Sequence, residues 1–236
     1  MGQRISAVIP TFNERESVVS IIQTLKQQIS SLEEIIVVDD DSPDKTWEVV
    51  ENLRAKDSTI RLIRRLHTRG LASALWEGIA SSRGESVLWL DADFKAPEGT
   101  LERLTTALRD CDIAVASRYV PGGRDSRTSW IRRAASAAFN VFARQMLRVP
   151  IKDLTSGYAL ARKHVLKQQY FQGIHGSYFV RLMYQSHRQG ARISEVPYAC
   201  LSRTQGYSKT TEDVFTFFKL GFLYIMLVIN LIREKK

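Results

Sequence analysis

Short apolar runs alternate with amphipathic stretches through the first half of the chain. Ile5-Ser6-Ala7-Val8-Ile9 is apolar and β-branched, and Pro10 stops it, which predicts a buried first strand. Residues 16–29 then carry Val18, Val19, Ile22, Leu25 and Ile29 at the spacing of one helix face. A second strand is predicted over 34–38, a helix capped by Asp44 over 45–55, and a short third strand over 60–63. Residues 70–79 open with Gly70 and continue with small residues, so this helix can pack close to a sheet or a ligand. A fourth strand over 84–90, a helix over 97–108 and a fifth strand over 113–116 complete the series. This alternation predicts an α/β fold with a mostly parallel, doubly wound sheet flanked by helices. Ligands of such sheets bind at the carboxyl ends of the strands.

The second half is less regular. Residues 129–147 read as a helix with Arg132 and Arg133 among alanines and aromatics, and 152–157 as a turn leading into Tyr158-Ala159-Leu160. A short helix at 164–167, a longer one at 177–189 and a strand at 191–196 follow. No repeat or linker divides the chain, so residues 1–210 are expected to form one catalytic-sized domain. Residues 211–236 differ in kind: Val214 to Phe218 and Leu220 to Ile232 form an apolar run, interrupted by Lys219 and Asn230, that approaches the length that spans a bilayer. Their apolar residues lie all round a helix, which argues against a one-sided contact with a core.

Candidate chemistry gathers at the predicted carboxyl edge. Asn13-Glu14 follows the first strand, Asp39-Asp40-Asp41 the second and Asp91-Ala92-Asp93 the fourth. Alternate residues of an extended chain point the same way, so Asp91 and Asp93 can face one site. Two hard oxygen ligands there suit Mg²⁺ or Mn²⁺ carrying a diphosphate.

Composition adds a partner. At 236 residues with a formal charge of +9, the chain is basic but has no zinc-ligand spacing or RNA-binding aromatic motif, so nucleic acid is not expected. Anionic membrane and phosphorylated ligands remain. Cys111 and Cys200 lie far apart, which fits a reducing compartment, and the N-terminus lacks a signal-peptide pattern. His67, His164, His175 and His187 form no pair at metal-ligand spacing, and His175 sits in a glycine-flexed loop that could approach a substrate.

Seven stretches in order resemble the family 2 glycosyltransferases of the glycosyltransferase-A fold, and among them the dolichol-phosphate (polyprenyl-phosphate) mannose synthases. They are Ile9-Pro10-Thr11-Phe12-Asn13-Glu14, Val37 to Asp44, Arg69-Gly70-Leu71, Asp91-Ala92-Asp93, Ser117 to Gly123, Asp153-Leu154-Thr155-Ser156-Gly157 and Gly206-Tyr207-Ser208-Lys209. The resemblance implies inverting transfer of mannose from GDP-mannose to dolichyl or polyprenyl phosphate. It implies that Pro10, Phe12, Glu14, Val38 and Asp40 hold the nucleoside, and that Asp91, Ala92 and Asp93 grip the diphosphate and metal. Arg118, Arg132, Ser136 and Lys209 match residues that bind the acceptor phosphate, while Arg203, Arg118 and Lys209 also match nucleotide-sugar contacts. Asp91, Asp93, Arg118 and Lys209 are accordingly the expected catalytic residues. Phe12 keeps the stacking face of the family's usual tyrosine and loses its hydroxyl. Lys95 stands where the family has a metal-ligating glutamine, and an ammonium has no lone pair to offer a metal. A weakened metal site is therefore expected.

The residue types agree with that chemistry. An ionised phosphate nucleophile needs no strong base, but it needs planar, bidentate cations such as arginine around it. The expected location is the cytoplasmic face of a membrane, where the basic charge meets anionic lipid. A single span would carry the terminal Arg233-Glu234-Lys235-Lys236 across the membrane, against the positive-inside tendency. Three arrangements stay open: a helix in the interface plane, a segment that dips and returns, or a piece of a longer membrane protein. UDP-glucose or another sugar nucleotide, further membrane subunits, self-association, and a non-catalytic homologue that only binds nucleotide sugar or lipid stay open as well.

Overall fold

The computed structural model describes residues 4–93, 99–126, 129–173, 176–200 and 214–234, the last segment with side chains from 219 onward. The expected strands and helices all form: β1 (Ile5–Thr11), α1 (Val18–Gln28), β2 (Leu32–Asp39), α2 (Thr46–Arg54), β3 (Ile60–Arg64), α3 (Leu71–Ser81), β4 (Ser86–Trp89), α4 (Thr100–Ala107) and β5 (Ile113–Ser117). After them come β6 (Arg124–Asp125), α5 (Trp130–Leu147), β7 (Ala159–Arg162), two single 3₁₀ turns, α6 (Ser177–Arg188), β8 (Ile193–Pro197), β9 (Ala199–Cys200) and α7 (Val214–Arg233).

Seven strands make one sheet in the order β3-β2-β1-β4-β7-β5-β8, and β6 and β9 form a small second ladder. All pairings in the large sheet are parallel except those of β7, which runs antiparallel to both β4 and β5. This reversal matters for the site. A backward strand starts where the parallel strands finish, so residues 153–157, just ahead of β7, arrive at the carboxyl edge.

Strands buried on both faces explain the continuous apolar runs. Val8, Ile36, Val38, Val87, Trp89 and Val115 pack beneath α3, α5, α6 and α7, whereas Ile5, Ile9, Ile35, Val37, Leu88 and Ala114 pack beneath α1 and α4. Gly78 lets α3 lie close to the sheet: a Cβ there would stand 2.4 Å from Val8 Cγ1 and 3.0 Å from Val38 Cγ2.

The C-terminal segment corrects one expectation, that it makes no one-sided contact with the core. Among the described residues, no helix is long and apolar enough to cross a membrane. Despite its all-round apolar character, α7 makes a one-sided contact: Val228 and Leu231 are fully buried, and Tyr224 meets Phe139 of α5 edge-on at 5.3 Å. Arg181 of α6 holds Glu234 through two 3.1 Å hydrogen bonds. The outer side of α7 leaves Phe222 62 % exposed and Ile225 41 % exposed.

Gly78→Ala is expected to lower stability. The helix preference gained is about 0.5–1 kcal/mol, against about 1–3 kcal/mol lost to overpacking on two stiff valines. Urea unfolding of the variant checks it; a midpoint at or above that of the parent would refute the close-packing argument.

Candidate active site

The first two loops of the carboxyl edge are zipped to each other. Asn13 N–H donates to Ser42 Oγ at 3.0 Å, Glu14 N–H to Thr46 Oγ1 at 3.0 Å, and Arg15 N–H to Asp44 Oδ2 at 3.1 Å. Asp44 also accepts from Thr46 N–H and Oγ1–H, although the N-cap of α2 is Lys45, one residue later than the sequence predicts. Asp39 is wholly buried and accepts from Thr11 Oγ1–H at 2.7 Å, Ser42 N–H at 2.8 Å and Ser42 Oγ–H at 2.7 Å. Asn13, Asp41 and Lys45 all take left-handed backbone with φ of 56°, 53° and 62°, a concentration of strain that these bonds hold in place.

Asp40 is a second buried carboxylate of this half. Its Oδ1 accepts from Arg65 Nε at 2.6 Å and its Oδ2 from Gly70 N–H at 2.7 Å. Arg65 is itself buried and spends its other nitrogens on Ser73 Oγ and Gly70 O. Pro10 and Val38, partners across β1 and β2, are buried beneath this point. Phe12 is half-buried, and the Arg69 guanidinium stands 5.2 Å over its ring. Pro10, Phe12, Glu14, Val38 and Asp40 are thus gathered on two neighbouring strand ends.

β4 lies on the other side of β1, and Asp91-Ala92-Asp93 follows its end. Asp91 is exposed, Ala92 buried and Asp93 half-buried. Burial raises the Tyr178 hydroxyl well above its ordinary pKa, and the Asp91 charge adds to it. Among the described residues no three His, Cys, Asp or Glu side chains converge as a metal cage. Two carboxylates at a turn fit a divalent ion only if the ligand's phosphate oxygens complete its shell. Lys95, Arg203, Lys209 and His175 lie outside the described residues.

The third group centres on Arg118, just past β5. Its Nε and Nη2 donate to Asp153 Oδ2 and Oδ1 at 2.8 and 2.7 Å, its backbone N–H donates to Asp153 Oδ2 at 2.9 Å, and Asp125 stands 3.7 Å from Nη1. Burial alone would lower the Arg118 pKa; the Asp153 hydrogen bonds and charge reverse that and raise it, so the guanidinium stays ionised. Nη2 also donates to Thr155 Oγ1 at 2.8 Å. Opposite stands α5, whose N-cap Ser129 accepts from Arg132 N–H. Ser136 Oγ accepts from Tyr119 O–H at 3.0 Å and lies 3.5 Å from Thr155 Oγ1. The fold therefore brings Arg118 and Ser136 into one cluster, with Arg132 one helical turn before Ser136.

Three residues of this frame are absent from the sequence-derived set. Arg65 sits in the charged run Arg64-Arg65, which reads as solvated surface. Asn140 is a buried polar residue inside an otherwise helical pattern; it accepts from Leu154 N–H at 2.6 Å and donates to Thr155 Oγ1 at 2.8 Å. Glu195 of β8 accepts the Lys152 and Asp153 amides at 2.8 and 2.9 Å. A lone helical asparagine is the one signal among these that sequence offers.

With this geometry in hand, comparison with known proteins is direct. A model of glycosyl transferase family 2 matches residues 6–169. The chain belongs to glycosyl transferase family 2. Within the family it is similar to a dolichol-phosphate mannosyltransferase of Pyrococcus furiosus, 32 % identical over 87 % of this chain and 59 % of the relative, so it spans somewhat over half of that protein's length. It is also similar to an undecaprenyl-phosphate mannosyltransferase of Micrococcus luteus, 32 % identical over 89 % of both chains. Among solved structures, the glucosyl-3-phosphoglycerate synthase of Mycobacterium tuberculosis, crystallised with Mn²⁺, UDP and glucosyl-3-phosphoglycerate, matches with a TM-score of 0.70 at 18 % identity, over 98 % of this chain and 80 % of that one. That likeness supports the glycosyltransferase-A fold.

Asp153→Asn removes the charge that compensates a buried arginine. The variant is expected to lose about 3–5 kcal/mol of unfolding free energy, the usual cost of stranding one partner of a buried pair. Chemical denaturation monitored by circular dichroism measures it.

Proposed function

We propose that the chain transfers mannose from GDP-mannose to a polyprenyl phosphate, with inversion, at the cytoplasmic face of a membrane. The observation that carries this reading is the two-sided character of α5. Its inner face presents Ser136, Asn140, Ala143 and Leu147 to the Arg118 cluster and the core, while Trp130, Ala134, Ala138 and Val141 line an exposed outer face. Trp130 is 68 % exposed and Val141 56 % exposed, large values for such residues. A helix that turns Ser136 and Asn140 toward the site and exposes Trp130, Ile131 and Val141 beside Arg133 and Arg144 suits an acceptor with an anionic phosphate head and a hydrocarbon tail. The neighbouring α7 adds Phe222 and Ile225 on its own outer side.

In this reading Pro10, Phe12, Glu14, Val38 and Asp40 hold the nucleoside. Asp91 and Asp93 hold Mg²⁺ or Mn²⁺, which would neutralise charge on the diphosphate. An oxygen of the lipid phosphate attacks the anomeric carbon as the sugar–diphosphate bond breaks on the opposite side. That oxygen is already ionised, so no side chain has to remove a proton. Arg132 and Ser136 contact the acceptor phosphate, with Arg118 behind them fixing Thr155 and the loop that carries Asp153. Lys209 and Arg203 enter on the family resemblance as cations that close over the substrates, and Lys95 as a neighbour that weakens the metal site.

Two measurements test the reading. Incubation with a short polyprenyl phosphate and Mg²⁺ should yield mannosyl lipid from GDP-mannose in preference to glucosyl lipid from UDP-glucose, and Asp93→Ala should slow transfer by on the order of 10²- to 10³-fold. No glycolipid from any sugar nucleotide would overturn it. Separately, the protein should float with vesicles containing anionic lipid, and Trp130→Glu with Val141→Glu should reduce the bound fraction several-fold while the melting temperature holds.

A further inference from the structure

The hydroxyl groups beside Arg118 form an ordered chain, and its order follows from counting lone pairs. Thr155 Oγ1 accepts two hydrogen bonds at 2.8 Å, one from Arg118 Nη2 and one from Asn140 Nδ2. Both of its lone pairs are then occupied, so it can only donate further, toward Asp153 Oδ1 at 3.3 Å or Ser136 Oγ at 3.5 Å. Ser136 cannot donate to Thr155 for the same reason. Tyr119 O–H meanwhile donates to Ser136 Oγ at 3.0 Å. The Ser136 proton is left without an acceptor inside the cluster, on a half-buried residue one turn after Arg132.

We infer that Tyr119 is a positioning residue for the acceptor phosphate: by donating to Ser136 Oγ it turns the Ser136 O–H outward as a ready donor to an oxyanion. The inference rests on the acceptor reading given above. Asn140 and Arg118 fix the far end of the chain by saturating Thr155. Tyr119 is held in turn by the Arg118 guanidinium, 5.1 Å from its ring centre, and its ring needs no hydroxyl to stay there. Gly123 closes the turn that follows Tyr119 so tightly that a Cβ would stand 2.5 Å from Ser117 O. A serine hydroxyl that is free to rotate spends much of its time pointing elsewhere; one already filled on its acceptor side does not, and the phosphate need not pay to orient it.

The test is binding of a short polyprenyl phosphate in detergent micelles by titration calorimetry, with the matching polyprenol as control and no sugar nucleotide present. Ser136→Ala should weaken phosphate binding by about 10-fold, the range of a hydrogen bond to a charged group. Tyr119→Phe should weaken it by about 3- to 10-fold with an unchanged melting temperature and unchanged polyprenol binding. The double variant should bind no more weakly than Ser136→Ala, because Tyr119 acts only through that hydroxyl. Additive losses, or a Tyr119→Phe variant that binds like the parent while Ser136→Ala does not, would overturn the inference and leave the acceptor reading standing. A parent protein that binds polyprenyl phosphate no better than polyprenol would overturn both.

Discussion

The Arg118–Asp153 pair is the joint on which the second half of the site depends. Asp153 is fully buried and Arg118 nearly so, and neither would survive there alone, since an isolated buried charge costs many kcal/mol. Together they exchange two side-chain hydrogen bonds, with a third from the Arg118 amide. The pair ties the end of β5 to the loop ahead of β7, and Glu195 of β8 fixes that loop from the other side by taking two of its amides. Three strands are thereby locked at their site ends by charge rather than by apolar packing. Such a pair contributes little net stability compared with apolar residues of the same volume. Its value is positional, because a bidentate fork admits only one geometry.

The nucleotide half is stiffened by different means. Asp39, Ser42 and Asp44 accept from Thr11 O–H, Asn13 N–H and Arg15 N–H across the gap from β1 and the loop after it, so three left-handed non-glycine residues persist without glycine's freedom. Asp40 and Arg65 repeat at β2 the logic of Asp153 and Arg118 at β5: a buried carboxylate at a strand end, held by a buried guanidinium that also reaches the next helix. Each half of the carboxyl edge thus has one buried ion pair beneath it, and β4 with Asp91 and Asp93 lies between them.

Much of this was legible in the sequence where periodicity and burial agree. The first five strands and the helices between them follow from apolar runs and 3.6-residue spacing, and their ends fall within about three residues of expectation. Tyr158-Ala159-Leu160 was different. A short run buried on both faces looks the same whichever way it points, so nothing local records that β7 is reversed. That reversal is what delivers Asp153 and Thr155 to Arg118. Arg65 was hidden for another reason: it is one of several arginines in a basic stretch, and only the tertiary fold distinguishes the buried one. For α7, residues apolar all round concealed a helix that buries one side on Phe139 and the core and leaves Phe222 outside.

The charge balance around the acceptor cluster explains why hydroxyl order matters there. Arg118 faces two carboxylates, Asp153 and Asp125, so the cluster carries no net positive charge of its own to attract an anion. Attraction has to come from beyond it, from Arg132 and Arg133 in the first turns of α5 and from the basic character of the whole chain. Those charges lie at the half-exposed and exposed end of the helix, where screening makes them steering groups more than rigid ligands. Geometry for the anion must then be set by neutral donors held from beneath. The chain from Asn140 and Arg118 through Thr155, and from Tyr119 to Ser136, supplies such a donor from beneath.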